Sequence, residues 1–364
     1  QNTACAACPN DHVVKLIIFF HGFSQFFVGI LCLLLSYFET FAEAVKAPVR
    51  CGVEVKSVTR QRDSGFLVET NSARIMAENV VAATGPFQKP VIPALIPEVE
   101  RIQQIHSSNY RNPMQLNSGA VLVIGAGSSG AQIADELLGV GRRVYLAVGP
   151  HDRPPRRYRG MDFVWWLGVL GKWQMKTPPR GKEHVTIAVS GAHGGRTVDF
   201  RHFAERGMTL LGMATSYQND IIYFADDLRK NIQDGDANYL ALLEEADSYV
   251  EREGLELPEE PDAKIIRADP ACLIQPLRQL DLVKAKIATI IWATGYTQDF
   301  GWLKVNAFDD FGRPHHQNGI AAESGIYFLG LPWLTMRGSS FIWGVWEDAA
   351  AIAEHIATRD NVQA

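Results

Sequence analysis

A strand–turn–helix–strand unit in the middle of the chain constrains the fold more than any other sequence feature. An apolar run that is typical of a buried parallel strand leads directly into a glycine-rich turn, and a helical pattern and a second strand follow. These parts are, in order, Ala120–Ile124, the GxGxxG glycines Gly125, Gly127 and Gly130, Ser129–Leu138 and Arg143–Val148. A GxGxxG triplet in this context predicts a βαβ unit that binds a dinucleotide.

Each glycine of the triplet has a separate expected role. Gly125 permits the tight turn, Gly127 lets the backbone approach a pyrophosphate, and Gly130 lets the helix pack closely on the strand. Ser128 and Ser129 open the helix, where free N–H groups and a partial positive charge favour phosphate binding. The competing interpretation is a glycine-rich turn that binds no ligand.

The residues after the second strand favour NADPH over NADH. An NAD site usually has Asp or Glu at the end of this strand, to bind the ribose hydroxyls. Here the first acidic residue, Asp152, comes several residues later, and arginines follow it. Guanidinium groups suit a 2′-phosphate, so the predicted ligands are Arg153, Arg156 and Arg157. The alternative is that these arginines only solvate a surface loop.

The remaining pattern alternates strands and helices, which predicts an α/β fold with a parallel sheet. Two apolar strands end alike, one at Thr84-Gly85 and the other at Thr294-Gly295. Glycine after a strand lets the chain and a cofactor approach each other closely. Because the two ends flank the dinucleotide unit, we expect two domains joined by a double crossing. The proline-rich residues 86–118 show no clear period and are interpreted as a linker.

The segment Val13–Phe38 is almost continuously apolar. It is long enough to cross a bilayer as a helix, which takes about 20 residues. Three interpretations are open: a membrane anchor, a buried core segment, or the irregular start of an incomplete chain. The membrane anchor is the least favoured of the three.

Composition and scattered residues exclude several classes of function. A net charge of -5 gives no argument for nucleic-acid binding. Five dispersed cysteines do not form a disulfide framework, so a reducing cytoplasmic location is expected. The Cys5–Cys8 pair lacks a second pair, and His315-His316 lacks ligand partners at suitable spacing, so no metal site is predicted.

Together these segments resemble the class B flavoprotein monooxygenases: flavin-containing monooxygenases, plant YUCCA-type enzymes and bacterial relatives. The similarity runs from about Leu33 to the C-terminus. It rests on the segments APVRCGVEVKSV, VVAATGPFQKPVIP, GAGSSG, GPHDRPPRRYRG, IIWATGY and GIYFLGLPWLTMRGSSFIWGVWEDAAAIAEHI. Half of the family fingerprint FxGxxxHxxxY is present, as His106 and Tyr110, whereas Glu100 and Ile102 replace its Phe and Gly. His106 also has a purely structural interpretation, as a hydrogen-bonding residue of the linker.

The resemblance implies an NADPH-binding Rossmann domain inserted into an FAD domain. The family's first GxGxxG is absent ahead of Ala120, so the FAD domain is expected to be incomplete at its N-terminal side. The parts implied to face FAD are Thr84, Gly85 and the run Gly330–Ser340. The expected domains are an apolar segment (1–38), a partial FAD domain (39–117), the NADP-binding domain (118–296) and the C-terminal part of the FAD domain (297–364).

The resemblance also implies the activity of an FAD- and NADPH-dependent monooxygenase. In such enzymes NADPH reduces FAD, O₂ forms a C4a-hydroperoxyflavin, and one oxygen passes to a small organic substrate. The expected partners are therefore that substrate and O₂, without nucleic acid. Two alternatives stay open: a non-catalytic or truncated NADP-binding remnant without FAD, and a membrane-anchored redox subunit. The sequence indicates neither the catalytic residues nor the substrate.

Overall fold

The chain forms two units, and each is assembled from separate stretches of sequence. Unit 1 consists of Gln1–Pro90, Trp173–Glu183 and Tyr296–Ala364, and unit 2 of Val91–Lys172 and His184–Gly295. The structure is a computed structural model that describes residues 4–5, 14–18, 28–62, 65–176, 178 and 186–363. Cys8 and the residues between the second strand and the first helix lie outside the described residues.

Strands and α-helices are interspersed along the chain, with long runs of strands before α2 and before α7. The strands are β1 (Ala4–Cys5), β2 (Val14–Ile18), β3 (Val49–Arg50), β4 (Val55–Arg60), β5 (Phe66–Thr70), β6 (Arg74–Ala77), β7 (Asn79–Ala83), β8 (Lys89–Pro90), β9 (Gln103–His106), β10 (Ala120–Ile124), β11 (Val144–Ala147), β12 (Arg157–Tyr158), β13 (Met161–Asp162), β14 (Thr209–Leu211), β15 (Ala214–Gln218), β16 (Ile221–Phe224), β17 (Gln279–Asp281), β18 (Ile287–Trp292), β19 (Tyr296–Thr297), β20 (Leu303–Lys304), β21 (His316–Gln317), β22 (Ile320–Ala321) and β23 (Ile326–Phe328). The α-helices are α1 (Val28–Ala44), α2 (Ser128–Gly139), α3 (Phe163–Val169), α4 (Phe200–Glu205), α5 (Leu228–Glu253), α6 (Ala271–Ile274) and α7 (Val345–Gln363).

Unit 2 is built on a parallel sheet with the strand order β14-β11-β10-β18-β9. Every residue of the central strand β10 is buried. Val121 and Val123 belong to one apolar cluster, and Leu122 and Ile124 belong to another. Because successive side chains of a strand point to opposite faces, both faces of this sheet are packed. The apolar run that predicted a buried parallel strand is therefore confirmed.

The edge strand β9 is a difference from the sequence-based expectation. Residues 86–118 were expected to form a linker, but Gln103–His106 pairs in parallel with β18. The interpretation as a linker was wrong for these four residues. This short edge strand contains two glutamines and shows no alternation of apolar and polar residues, so its sequence does not predict a strand. It forms a strand because β18 offers an edge with which it can pair.

Unit 1 contains two sheets of different kinds. In the first, β2, β7 and β23 run parallel, and β22 and β21 extend the sheet antiparallel. In the second, β4, β5 and β6 form an antiparallel meander beside β20. Buried side chains from both sheets form a single apolar cluster. It includes Val58, Phe66, Val80 and Phe328.

The apolar segment Val13–Phe38 is divided between two elements in the described residues. Val14–Ile18 forms β2 beside β7, and α1 begins at Val28. No helix in the described parts of the chain is both long and apolar enough to span a bilayer. The segment therefore supplies a sheet strand and part of a helix to unit 1.

A short excursion of the chain contributes to unit 1 from within the sequence of unit 2. The N–H of Gly338 donates to the Trp173 carbonyl at 2.9 Å, and that of Arg337 donates to the Met175 carbonyl at 2.9 Å. Lys176 forms a bridge to Met336. These contacts attach residues 173–176 to the loop that precedes α7.

Candidate dinucleotide-binding site

The glycine turn between β10 and α2 is closely packed at two of its three glycines. Gly125 has φ of +105°, and a Cβ there would lie 2.3 Å from the Ala293 carbonyl oxygen. A Cβ on Gly130 would lie 1.8 Å from the Gly125 carbonyl oxygen. Both distances are far below van der Waals contact. The turn and the approach of α2 to the sheet therefore require glycine at both positions.

The N-terminus of α2 presents unused hydrogen-bond donors. Gly127 is the N-cap residue and supplies no side-chain cap. Within the described residues, no acceptor is hydrogen-bonded to the backbone N–H groups of Ser128, Ser129 and Gly130. Free N–H groups and the positive end of the helix dipole favour an anion at this position.

A strap of residues, Thr186–Ser190, runs between α2 and the chain that follows β11. The Ser128 hydroxyl donates to the Ile187 carbonyl at 2.8 Å and accepts from the Val189 N–H at 3.3 Å. Gln132 Nε2 donates to the Val189 carbonyl at 3.0 Å. On the other side, Asp152 exchanges backbone hydrogen bonds of 2.8 Å with Thr186 and Ala188. The sequence showed no pattern that indicated this strap.

The three predicted phosphate-binding arginines have different environments. Arg153 is 6% exposed, donates to Asp236 at 2.8 Å and lies over the Tyr239 ring. Arg156 is half-buried and pairs with Asp162. Arg157 is exposed, and no ion pair with it occurs among the described residues. Of the three, Arg157 has the guanidinium that is free to meet an external phosphate.

His151 is buried four residues after the end of β11, against helix α5. Its Nδ1 donates to the Gly149 carbonyl at 2.9 Å, and its Nε2 has no hydrogen-bond partner among the described residues. A Cβ on Gly235 would lie 2.5 Å from Nε2, so the glycine in α5 makes room for the ring. Burial lowers the pKa of His151, and the nearby Arg153 lowers it further.

We expect this histidine to make the protein less stable in mild acid. The pKa is lowered below the unfolded value of 6.5, so the unfolded chain binds the proton first as the pH falls. The free energy of unfolding should therefore decrease below about pH 6.5, until the pH reaches the folded pKa. Urea unfolding at pH 7.5 and 5.5 measures the loss. His151→Phe should show a smaller loss than the wild type, and an equal loss would contradict the assignment.

The second strand end in unit 2, Thr294-Gly295, is held by side chains and backbone together. The Thr294 hydroxyl donates to the Val91 carbonyl, and the Val91 N–H donates to the Gly295 carbonyl at 3.0 Å. His106 also bonds the Gly295 carbonyl, through Nε2 at 3.0 Å. The structure therefore brings His106 to the predicted cofactor-binding turn.

His106 is neutral in this arrangement, and its tautomer follows from its partners. The backbone N–H of Ser108 donates to Nδ1 at 3.1 Å, and the Gly295 carbonyl can only accept. Nε2 therefore carries the proton. Burial lowers the pKa of His106, which agrees with a neutral ring.

The Tyr110 hydroxyl donates to Glu136 at 2.9 Å, and burial raises the pKa of that phenol.

The corresponding strand end in unit 1 is Thr84-Gly85, after β7. Gln88 Nε2 donates to the Thr84 hydroxyl at 2.7 Å and to the Gly85 carbonyl at 2.8 Å. Gly85 has φ of +68°, the left-handed conformation that favours glycine. β2 lies parallel to β7, and α1 follows β2 in the sequence, which is the strand–helix order of a second dinucleotide fold. The sequence between β2 and α1, however, lacks a GxGxxG.

A buried polar network orders the C-terminal run of unit 1. The Thr335 hydroxyl donates to Asp348, which is 3% exposed in the first turn of α7. The Ser339 hydroxyl accepts from the N–H groups of Thr335 and Met336, at 3.1 Å each. Asp348 Oδ2 and Trp173 Nε1 are buried without a hydrogen-bond partner in the described part of unit 1. The sequence did not single out either residue.

Metal binding has no support in the described part of the chain. No group of three or more His, Cys, Asp or Glu side chains is arranged there to hold an ion. The Gly319 N–H donates to His316 Nδ1 at 3.3 Å, and burial lowers the pKa of this histidine. His316 is a strand residue of β21.

Comparisons with known proteins find similar sequences among oxidoreductases. A family model described as pyridine nucleotide-disulphide oxidoreductase matches residues 33–160. The "Uncharacterized oxidoreductase CzcO-like" of Geobacillus kaustophilus is 33% identical over 326 residues, covering 89% of this chain and 77% of the relative. The flavin-containing monooxygenase FMO GS-OX5 of Arabidopsis thaliana is 34% identical over 148 residues, covering 38% of this chain and 32% of the relative.

Solved structures show the same fold. A flavin-containing monooxygenase from Stenotrophomonas maltophilia superimposes with a TM-score of 0.56 at 16% identity, covering 90% of this chain and 77% of that one. The ornithine N-hydroxylase of Kutzneria sp. 744, solved with reduced FAD, NADP⁺ and L-ornithine, gives 0.52 at 16% identity with the same coverage. The expected α/β architecture, with two dinucleotide-binding domains, is confirmed.

Proposed function

Because the chain belongs to the class B flavoprotein monooxygenase-type family of oxidoreductases, we propose that it uses NADPH, FAD and O₂ to oxygenate a small organic substrate. The observation that carries the proposal is the glycine turn, whose packing requires glycine and whose helix N-terminus offers three N–H groups that no described residue accepts from. When bound, NADPH supplies a hydride, and FAD passes the electrons to O₂.

We assign NADPH to unit 2. Gly125, Gly127 and the N–H groups of Ser128–Gly130 would hold its pyrophosphate, since they combine close backbone approach with a positive helix end. Arg157 would meet the 2′-phosphate, because its guanidinium is exposed and unpaired among the described residues. His106 would hold the Gly295 turn in place without changing its own protonation near neutral pH.

We assign FAD to unit 1, where the fit is partial. The parallel strands β2, β7 and β23 and the glycine at Gly85 supply the frame of a dinucleotide site. Asp348 Oδ2 and Trp173 Nε1 are buried without a partner among the described residues, and a ligand could satisfy both atoms. The pyrophosphate turn, by contrast, lacks the glycine triplet, so no residue is assigned to that part of FAD.

Cofactor content is the experiment that tests the proposal. The purified chain is scanned for flavin absorbance, and the same sample is titrated with NADPH and NADH while oxygen uptake is recorded. We expect bound flavin, tighter binding of NADPH than of NADH, and oxygen uptake driven by NADPH. NADPH binding without flavin, even after addition of free FAD, would reduce the function to nucleotide binding.

Arg157 provides a test of nucleotide choice. Arg157→Ala should weaken NADPH binding by about 10- to 100-fold, because a charge-assisted hydrogen bond is worth roughly 1.5–3 kcal/mol, and should leave NADH binding unchanged. Arg143→Ala is the matched control, since Arg143 is equally exposed but precedes β11, at the end opposite to the nucleotide. Equal losses for both nucleotides, or for both variants, would contradict the assignment.

A further inference from the structure

The strap Thr186–Ser190 lies against the glycine of the turn that has no packing reason within α2 and β10. A Cβ on Gly127 would lie 3.1 Å from the Thr186 Cγ2 methyl and 3.9 Å from the Ile187 carbonyl oxygen. Apart from the chain neighbours of Gly127 and the backbone of its helix, no other atom of the described residues lies within 4 Å of that position. Among the described residues, it is the strap that bounds the space beside Gly127.

This space is the approach path of a pyrophosphate in a GxGxxG turn. The second glycine of the triplet is small so that the phosphate groups can come close to the backbone. The Thr186 methyl group now occupies that side of Gly127. The strap and a bound pyrophosphate would consequently occupy the same volume.

The hydrogen bonds of the strap point to the same competition. The Ser128 hydroxyl, at the first position of α2, donates to the Ile187 carbonyl at 2.8 Å. The Ile187 carbonyl oxygen thus lies at the N-terminus of α2, whose positive end also favours a phosphate oxygen, although it accepts from the hydroxyl and not from the helix N–H groups. Gln132, one turn further along α2, fixes the next carbonyl, that of Val189, at 3.0 Å.

We propose that the strap is a built-in occupant of the phosphate turn, which NADP(H) displaces from α2 when it binds. This inference rests on the proposed function, because it takes NADP(H) as the ligand of the turn. The strap thereby lowers nucleotide affinity by the free energy of its contacts with Ser128 and Gln132. Removing a contact that belongs to the strap alone should raise the affinity.

Gln132→Ala tests this prediction. Gln132 Nε2 donates to the Val189 carbonyl and lies outside the first turn of α2, so the substitution loosens the strap without altering the phosphate ligands. We expect NADP⁺ to bind about fivefold more tightly, the factor that corresponds to one net hydrogen bond. Gln233→Ala is the matched control, because Gln233 is an exposed glutamine of helix α5. The control should bind NADP⁺ like the wild type.

Hydrogen exchange provides a second readout that does not depend on activity. In the free protein the Val189 N–H donates to the Ser128 hydroxyl. Adding NADP⁺ should speed the exchange of residues 187–190 if the strap leaves α2. Slower exchange, together with weaker binding by Gln132→Ala, would make the strap a wall of the site and overturn the proposal. Equal NADP⁺ affinity of the wild type and Gln132→Ala would also overturn the proposal. If neither protein bound NADP⁺, the proposed function would be overturned as well.

Discussion

Adding a methyl group to Gly130 is expected to lower the free energy of unfolding by about 3 kcal/mol, at the upper end of the cost of overpacking. A Cβ there would lie 1.8 Å from the Gly125 carbonyl oxygen and 3.1 Å from the Ala293 Cβ. The first of these neighbours is backbone, so no rotamer change can relieve the clash. Helix α2 would have to move away from β10, which would open the apolar cluster that they share. Urea unfolding of Gly130→Ala, followed by circular dichroism, measures the loss.

The same helix offers a matched control. Gly139 is the last residue of α2, and a Cβ there would meet nothing within 4 Å. Gly139→Ala should therefore be neutral or should stabilise the protein by up to about 1 kcal/mol, through helix propensity. A Gly130→Ala variant that is as stable as Gly139→Ala would refute the close packing of the turn.

Removal of Asp236 should be the second severe substitution, with an expected loss of about 3–5 kcal/mol in the free energy of unfolding. One carboxylate serves two buried guanidinium groups, of Arg153 and Arg201, which are 6% and 5% exposed. Asp236→Ala leaves the Arg153 charge without an ion-pair partner among the described residues, whereas Arg201 keeps Asp269. Chemical unfolding at neutral pH measures the loss.

Asp234 supplies the comparison for that substitution. It lies two residues earlier on α5 and pairs with Lys230, but both side chains are more than half exposed. An exposed pair at this spacing contributes roughly 0.3–0.5 kcal/mol, so Asp234→Ala should change stability by about that amount. Similar losses for Asp234→Ala and Asp236→Ala would mean that the buried pairs do not stabilise unit 2.

The βαβ unit could be predicted from the sequence because its determinants are local. The apolar run of β10, the spacing of Gly125, Gly127 and Gly130, and the period of α2 all lie within twenty consecutive residues. The turn also requires glycine at two positions, since a Cβ at Gly125 or Gly130 would overlap backbone atoms. Such patterns are readable without knowledge of distant contacts.

The environment of the arginines could not be predicted, because it depends on distant partners. Arg153 and Asp236 are 83 residues apart in the sequence, and no periodicity relates them. The strap also depends on a distant partner, since Ile187 and Ser128 are 59 residues apart in the sequence. A cluster of arginines after a strand is compatible with phosphate binding and with internal ion pairs. Only the tertiary contacts distinguish the two for each residue.

The division of unit 1 among three stretches of sequence has a consequence for the order in which the protein acquires its structure during translation. A ribosome releases every residue of unit 2 once position 295 has emerged, so its parallel sheet can close at that point. At that point β7 still lacks β23, its neighbour in the sheet, because β23 lies more than 240 residues later in the sequence. Nascent chains with such long-delayed pairing expose apolar strand edges. We therefore expect unit 1 to complete its folding last. It should be the part of the nascent chain that most needs protection by chaperones.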